Sequence, residues 1–143
     1  MDHSIDFEFE VSVKSLLEKK FSTLSFAEKK QIIAQRPTPD LNITQLKRSK
    51  HRDFTRTFNS DKYAKFKFLA GCPTKNKLYC WWCLCFATKE STFINGFDDL
   101  NHLEVSLKRH IATKNHMDAA VKFKFFLFRK SLNRCPKTCI SKG

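Results

Sequence analysis

The chain has 143 residues, 41% hydrophobic and 29% charged, the balance of a folded domain rather than of a disordered or fibrous one. Its formal net charge of +13 is unevenly spread: residues 1–46 carry six Lys and Arg against seven Asp and Glu, and residues 47–143 carry 21 against seven. No stretch approaches the roughly 18 apolar residues of a spanning helix, and the acidic start MDHSIDFEFE lacks the basic-then-apolar pattern of a secretory signal, which excludes those two classes as expectations.

In residues 12–24, Val13, Leu16, Leu17, Phe21 and Leu24 stand at helical spacing behind a capping Ser12, which predicts an amphipathic helix. Ser25-Phe26-Ala27-Glu28 has the capping-box pattern, so a second helix should run through Ile32 and Ile33 and stop before Pro37. Residues 36–46, beginning Arg36-Pro37-Thr38-Pro39, read as an extended connector between a helical segment (1–35) and a basic remainder. The run KRSKHRDFTR, Lys47 to Arg56, is dense in positive charge and suited to phosphates, which give affinity without sequence choice.

Next, Ala64, Phe66 and Phe68 alternate with Lys65 and Lys67, predicting a strand with one buried face and one basic face. Gly71 to Asn76 should turn the chain, and KLYCWWCLCF, Lys77 to Phe86, should return as the second strand of a hairpin. That strand carries Cys80 and Cys83, whose Cys-x2-Cys spacing lets a knuckle aim two sulfurs at one point. After Asn95-Gly96, Asp98 or Asp99 should cap a helix reaching about Thr113. Leu103, Leu107 and His110 form one stripe of it.

His116 lies six residues after His110, too far round an unbroken helix for both rings to share a face. The helix should therefore break at Thr113, Lys114 and Asn115, Asn tolerating the left-handed conformation that closes helices. Cys80, Cys83, His110 and His116 then complete a tetrahedral Zn2+ shell, with 26 residues between Cys83 and His110, well over the dozen or so of a short ββα finger. MDAAVKFKFFLF fits helix or strand, and residues 129–143 read as a loose basic tail.

Four other cysteines remain. Cys72 has no evident role, Cys85 could compete as a ligand but is expected as a small buried hydrophobe, and the Cys135-x3-Cys139 pair is a weak second metal candidate without a completing ligand nearby. A nucleophilic role for Cys80 or Cys83 is set aside, because a catalytic thiol needs one activated cysteine beside a base. Lys65, Lys67, Lys108, Arg109 and Lys114 are the expected phosphate contacts, and Trp81 and Trp82 are expected to pack rather than stack on bases.

From about Ile32 to Phe126 the chain resembles the TTF-type zinc finger at the amino end of hAT-superfamily transposases and their domesticated derivatives. The resemblance rests on QRPTPDL, RTF at Arg56–Phe58, FLAGC leading into KLYCWWCLCF, GFDDL at Gly96–Leu100, and the H-x2-[ST]-x2-H pattern of His110, Thr113 and His116. The family often has Trp at the place of Phe68, Pro at Trp82 and Leu at Cys85, departures that spare every ligand. Its transposases continue into a ribonuclease-H-like catalytic domain, whereas 27 residues follow His116 here.

The expectation is thus a small α+β fold. A zinc-stabilised hairpin-plus-helix finger (47–128) follows N-terminal helices and precedes a loose tail. The implied function is a nuclear, non-catalytic module for double-stranded DNA, without membrane or small-molecule substrate, whose protein partner would be a full-length transposase or another protein. The alternative is a zinc-built protein-interaction module.

Overall fold

The structure, a computed structural model, describes residues 11–132, with side chains through residue 128. It is small and α+β, with short helices around two antiparallel hairpins. The caps predicted at Ser12 and Ser25 form. Helix α1, Val13–Glu18, starts where the Ser12 and Ser15 hydroxyls each accept the other's backbone N–H. It does not continue to Leu24 as predicted. The Thr23 hydroxyl donates to the Lys20 carbonyl at 2.6 Å, a local bond that competes with helix, and Phe21–Thr23 forms a single 3₁₀ turn instead. Helix α2, Phe26–Ala34, opens on a reciprocal Ser25–Glu28 box (3.2 and 3.1 Å) and ends ahead of Pro37.

Beyond α2 the connector is built into the fold. Leu41 and Ile43 are buried, and one guanidinium nitrogen of Arg36 donates to the carbonyls of Tyr63, Phe66 and Leu69 at 3.1, 2.9 and 3.0 Å. The basic run becomes a first hairpin: β1, Thr44–Lys47, pairs with β2, Phe54–Thr57, with Thr44 opposite Thr57 and Lys47 opposite Phe54.

The predicted second hairpin exists in a shifted position. Residues up to Lys65 form helix α3, Asp61–Lys65, and β3 is Leu69–Cys72, paired with β4, Lys77–Cys80. The Phe/Lys alternation does sort faces, since Phe66 and Phe68 are buried and Lys65 and Lys67 exposed, yet the segment pairs with no strand. The true strand β3 is buried on both faces and therefore shows no alternation of polarity.

That double burial organises the core. Leu69, Leu78 and Cys80 face a cluster with Leu41, Phe68, Phe93, Leu103 and Leu107. Ala70, Cys72, Tyr79 and Trp81 face another with Val13, Phe21, Ile32 and Phe123. The second half of the predicted strand is helix α4, Trp81–Phe86. Trp81 packs as expected and adds a bond: its indole N–H donates to the Ile32 carbonyl at 2.9 Å, satisfying one of the carbonyls that the end of α2 leaves open.

Helix α5, Thr92–Asn95, ends at Gly96, whose φ of +111° suits glycine alone, and Phe97 then bridges to Leu78 at the outer edge of β4. Asp99 does not cap a helix through its side chain; its carboxylate pairs with the His102 ring at 2.8 Å, Leu100–His102 is a 3₁₀ turn, and α6 is Leu103–Ile111. Helix α7 is Lys114–Leu132, so MDAAVKFKFFLF is helical and residues 129–132, expected in the tail, continue the helix. Residues 133–143, with Cys135 and Cys139, lie outside the described part. Among the described residues no helix is long and apolar enough to cross a membrane.

Gly71 has a packing reason to be glycine. A Cβ there would run into the Tyr63 hydroxyl and lie 3.1 Å from Leu41 Cδ1, and that hydroxyl is held by donating to the Pro39 carbonyl at 2.7 Å. Gly71→Ala should destabilise the chain by about 1–3 kcal/mol, read as a lowered urea midpoint; an unchanged midpoint would contradict this packing.

Candidate metal centre

Four short pieces of backbone deliver the four donors. Cys80 ends β4, and Cys83 lies in the first turn of α4, where its N–H donates to the Cys80 sulfur at 3.4 Å. This bond makes Cys80 the cap of α4 and explains why the strand turns helical at the knuckle. His110 is the last residue but one of α6, and His116 is the third residue of α7.

The break between those helices falls where the sequence places it, by a different device. Asn76 is the one non-glycine residue with positive φ among the described residues, so no left-handed Asn closes α6. Thr113 does the work. Its hydroxyl donates to the His110 carbonyl at 2.8 Å and accepts the His116 N–H at 3.2 Å, finishing one helix and capping the next. Asn115 sits inside α7, donating through Nδ2 to the Lys89 carbonyl at 2.9 Å.

The result is a buried cluster in which the Cys80 and Cys83 sulfurs and one ring nitrogen each from His110 and His116 lie within 4.8 Å of one another. Cys83 Sγ is 3.4 Å from His110 Nε2 and 3.6 Å from His116 Nδ1; Cys80 Sγ is 3.5 Å from His116 Nδ1; the two nitrogens are 3.0 Å apart. A tetrahedral ion with ordinary metal–sulfur and metal–nitrogen lengths needs sulfur–nitrogen edges of about 3.5 Å and a nitrogen–nitrogen edge of about 3.3 Å. The donor set fits a metal ion, and its chemistry is consistent with zinc.

Aromatic rings close the site to water. Phe68 meets His116 edge-on at 4.7 Å, Phe93 packs on His110 at 5.1 Å, and Trp82 is stacked between His116 and Phe123 at 5.8 and 5.3 Å. The electrostatics are those of a site built for a cation. Burial holds the Cys80 thiol well above its usual range, while hydrogen bonding from Cys80, then from His110 and His116, draws Cys83 down to about 4. Two adjacent buried thiolates disfavour one another, and a divalent cation at the centre would stabilise both.

Cys85 lies outside the cluster, partly buried against the second core group, with its thiol pushed up by burial and by Cys83. Cys72 is buried in that same group. Of the five expected phosphate contacts, Lys108 and Arg109 are exposed in the last turn of α6 and Lys114 is exposed as the first residue of α7, so three cations flank the elbow that holds the histidines. Lys114 lies 3.3 Å from Asp118. Lys67 is exposed between buried Phe66 and Phe68, apart from that elbow in sequence. Lys65 is tied elsewhere: with Lys62 it grips Glu104 at 2.6 Å, and these bonds hold that carboxyl down to about 2.

Sequence reasoning missed Arg36, the Thr113 double bond and the shielding by Trp82. The Thr113 role was findable, since Thr three residues before a helical ligand is a capping position. Comparison with family models, with curated proteins and with solved structures finds no match.

Two substitutions separate the ligands from their neighbours. Cys83→Ser should abolish stoichiometric metal binding and unfold the chain, while Cys85→Ser should retain one metal per chain by elemental analysis. Thr113→Val, which keeps the shape and removes both hydroxyl bonds, should weaken metal affinity by roughly tenfold, the scale at which groups that orient a ligand act. Equal metal content and affinity in all three would overturn the assignment.

Proposed function

We propose that the chain is a zinc-stabilised, non-catalytic module that binds double-stranded DNA and acts in the nucleus. The observation that carries this is the coincidence of a closed, buried Cys2His2 cluster with the basic two thirds of the chain. Two thiolates and two imidazoles fill a tetrahedral shell and leave no open position for substrate or activated water, which is the pattern of a structural ion. In this role the ion clamps the β3–β4 knuckle to the α6–α7 elbow. Lys108, Arg109 and Lys114 on that elbow, with Lys67 and with Lys65 exchanging Glu104 for phosphate, supply sequence-independent affinity.

The spaced motifs resembling the TTF-type finger favour descent from the amino end of a hAT-type transposase, with a full-length transposase as a further partner. That origin rests on the motifs alone.

One observation favours a second reading, a protein-interaction module. Met117, Val121, Phe125 and Phe128 are exposed on α7, Val121 at 67% and Phe125 at 59%. At 100° per residue they form a stripe about 180° from the buried His116, Ala119, Phe123 and Phe126 side.

Salt separates the two. Binding of the zinc-loaded chain to duplex DNA, followed by fluorescence anisotropy, should weaken about 10³-fold or more from 50 to 200 mM salt if six or more phosphates are neutralised. Salt-insensitive retention, or none at low salt, would refute the DNA reading.

A further inference from the structure

Resting on the DNA-binding reading, we infer that the β1–β2 hairpin is a two-stranded ribbon that enters the major groove of B-form DNA, its tip cations on phosphates and its outward face on base edges.

Every residue from Arg48 to Thr57 is exposed, which is unusual for a hairpin in a chain this rich in phenylalanine. Between Lys47 and Arg56 there are five Lys and Arg against the single Asp53. Asp53 is used internally. It pairs with Arg48 at 3.3 Å and accepts the Ser49 N–H at 3.2 Å, so it shapes the turn and leaves Lys50, Arg52 and Arg56 as a cationic rim.

The base of the ribbon is fixed. The Phe58 N–H donates to the Ile43 carbonyl at 3.0 Å, and both side chains are buried. Asn101 donates from its backbone N–H to Gln45 Oε1 at 2.8 Å and from Nδ2 to the Leu46 carbonyl at 3.0 Å. Asn101 lies in the 3₁₀ turn that leads directly into α6, so the turn holding the ribbon's base is continuous with the helix that carries His110.

The two faces differ. Lys47 opposite Phe54 and Gln45 opposite Arg56 share one face, half-covered at Gln45 and Lys47. Thr44, Leu46, Thr55 and Thr57 form the other, exposed at all four positions and uncharged. Threonine hydroxyls can donate to or accept from base edges and an apolar side chain can meet the thymine methyl, so this face can read sequence while the cations at the tip reach phosphates. The ribbon's strands are about 4.8 Å apart, and with side chains it matches a major groove about 12 Å wide. A-form RNA has a major groove too narrow for it.

The test uses the full zinc-loaded chain, a random-sequence duplex DNA, the same-sequence duplex RNA, and three variants of unchanged zinc content. Lys50→Glu with Arg52→Glu should lower DNA affinity at least about tenfold and reduce the slope of log affinity against log salt by about two, one per lost phosphate contact. Thr55→Ala should leave that slope unchanged and alter the sequences recovered by selection from the random pool. Lys108→Glu with Arg109→Glu is the comparison on the α6 elbow.

If the elbow pair abolishes binding while the ribbon pair changes neither affinity nor slope, the ribbon inference fails and the DNA reading stands. If the unmodified chain shows no salt-dependent DNA binding, that reading itself fails. Duplex RNA bound as tightly as DNA would overturn groove entry.

Discussion

Four buried donor atoms, two sulfurs and two imidazole nitrogens brought within 4.8 Å of one another, are the constraint on which the other elements depend. The strands of both hairpins have four residues each, and every described helix except the last has nine or fewer. Elements that short are marginal alone, because helix nucleation is costly and an isolated hairpin rarely persists in water. Burying two thiols and two imidazoles without a cation would add a desolvation penalty to a core already small for its charge. A metal ion at this cluster would offset that penalty and join knuckle to elbow, and so would couple metal affinity to folding.

Around the centre the fold repeats one device, a polar group that joins two elements by satisfying orphaned backbone atoms. Thr113 links the end of α6 to the start of α7, the Trp81 indole closes a carbonyl at the end of α2, and Arg36 gathers three carbonyls around α3 and β3. Through Trp81 and the cluster of Val13, Phe21 and Ile32, the amino-terminal helices share their core with β3–β4. A substitution in α2 therefore acts on the knuckle's footing.

What the sequence disclosed is local chemistry. The caps at Ser12 and Ser25, the placement of His110 on the Leu103–Leu107 stripe, and the need for a break before His116 all follow from rules acting over a few residues. The errors came where tertiary burial overrode pattern. Lys65–Phe68 alternates like a strand but leads into one, whereas Leu69–Cys72 is a strand buried on both faces and carries no alternation. Trp81–Phe86 is rich in strand-prone residues, yet the Cys83 N–H on the Cys80 sulfur starts a helix there. The Lys47–Arg56 run showed its charge and concealed its hairpin, because no two-residue turn signature marks the tip.

The metal centre and the proposed DNA surface are joined through α6, which follows the turn that holds the ribbon's base at Asn101 and carries His110 in its last turn. The most direct test of the account is a zinc titration into chelator-treated chain, followed together by metal stoichiometry and near-ultraviolet circular dichroism of Trp81 and Trp82. The account predicts that one equivalent of zinc restores the tryptophan signal in a single saturating step. A chain that keeps its full tryptophan signal without metal, or that binds zinc with no change in it, would contradict the claim that this centre holds the fold together.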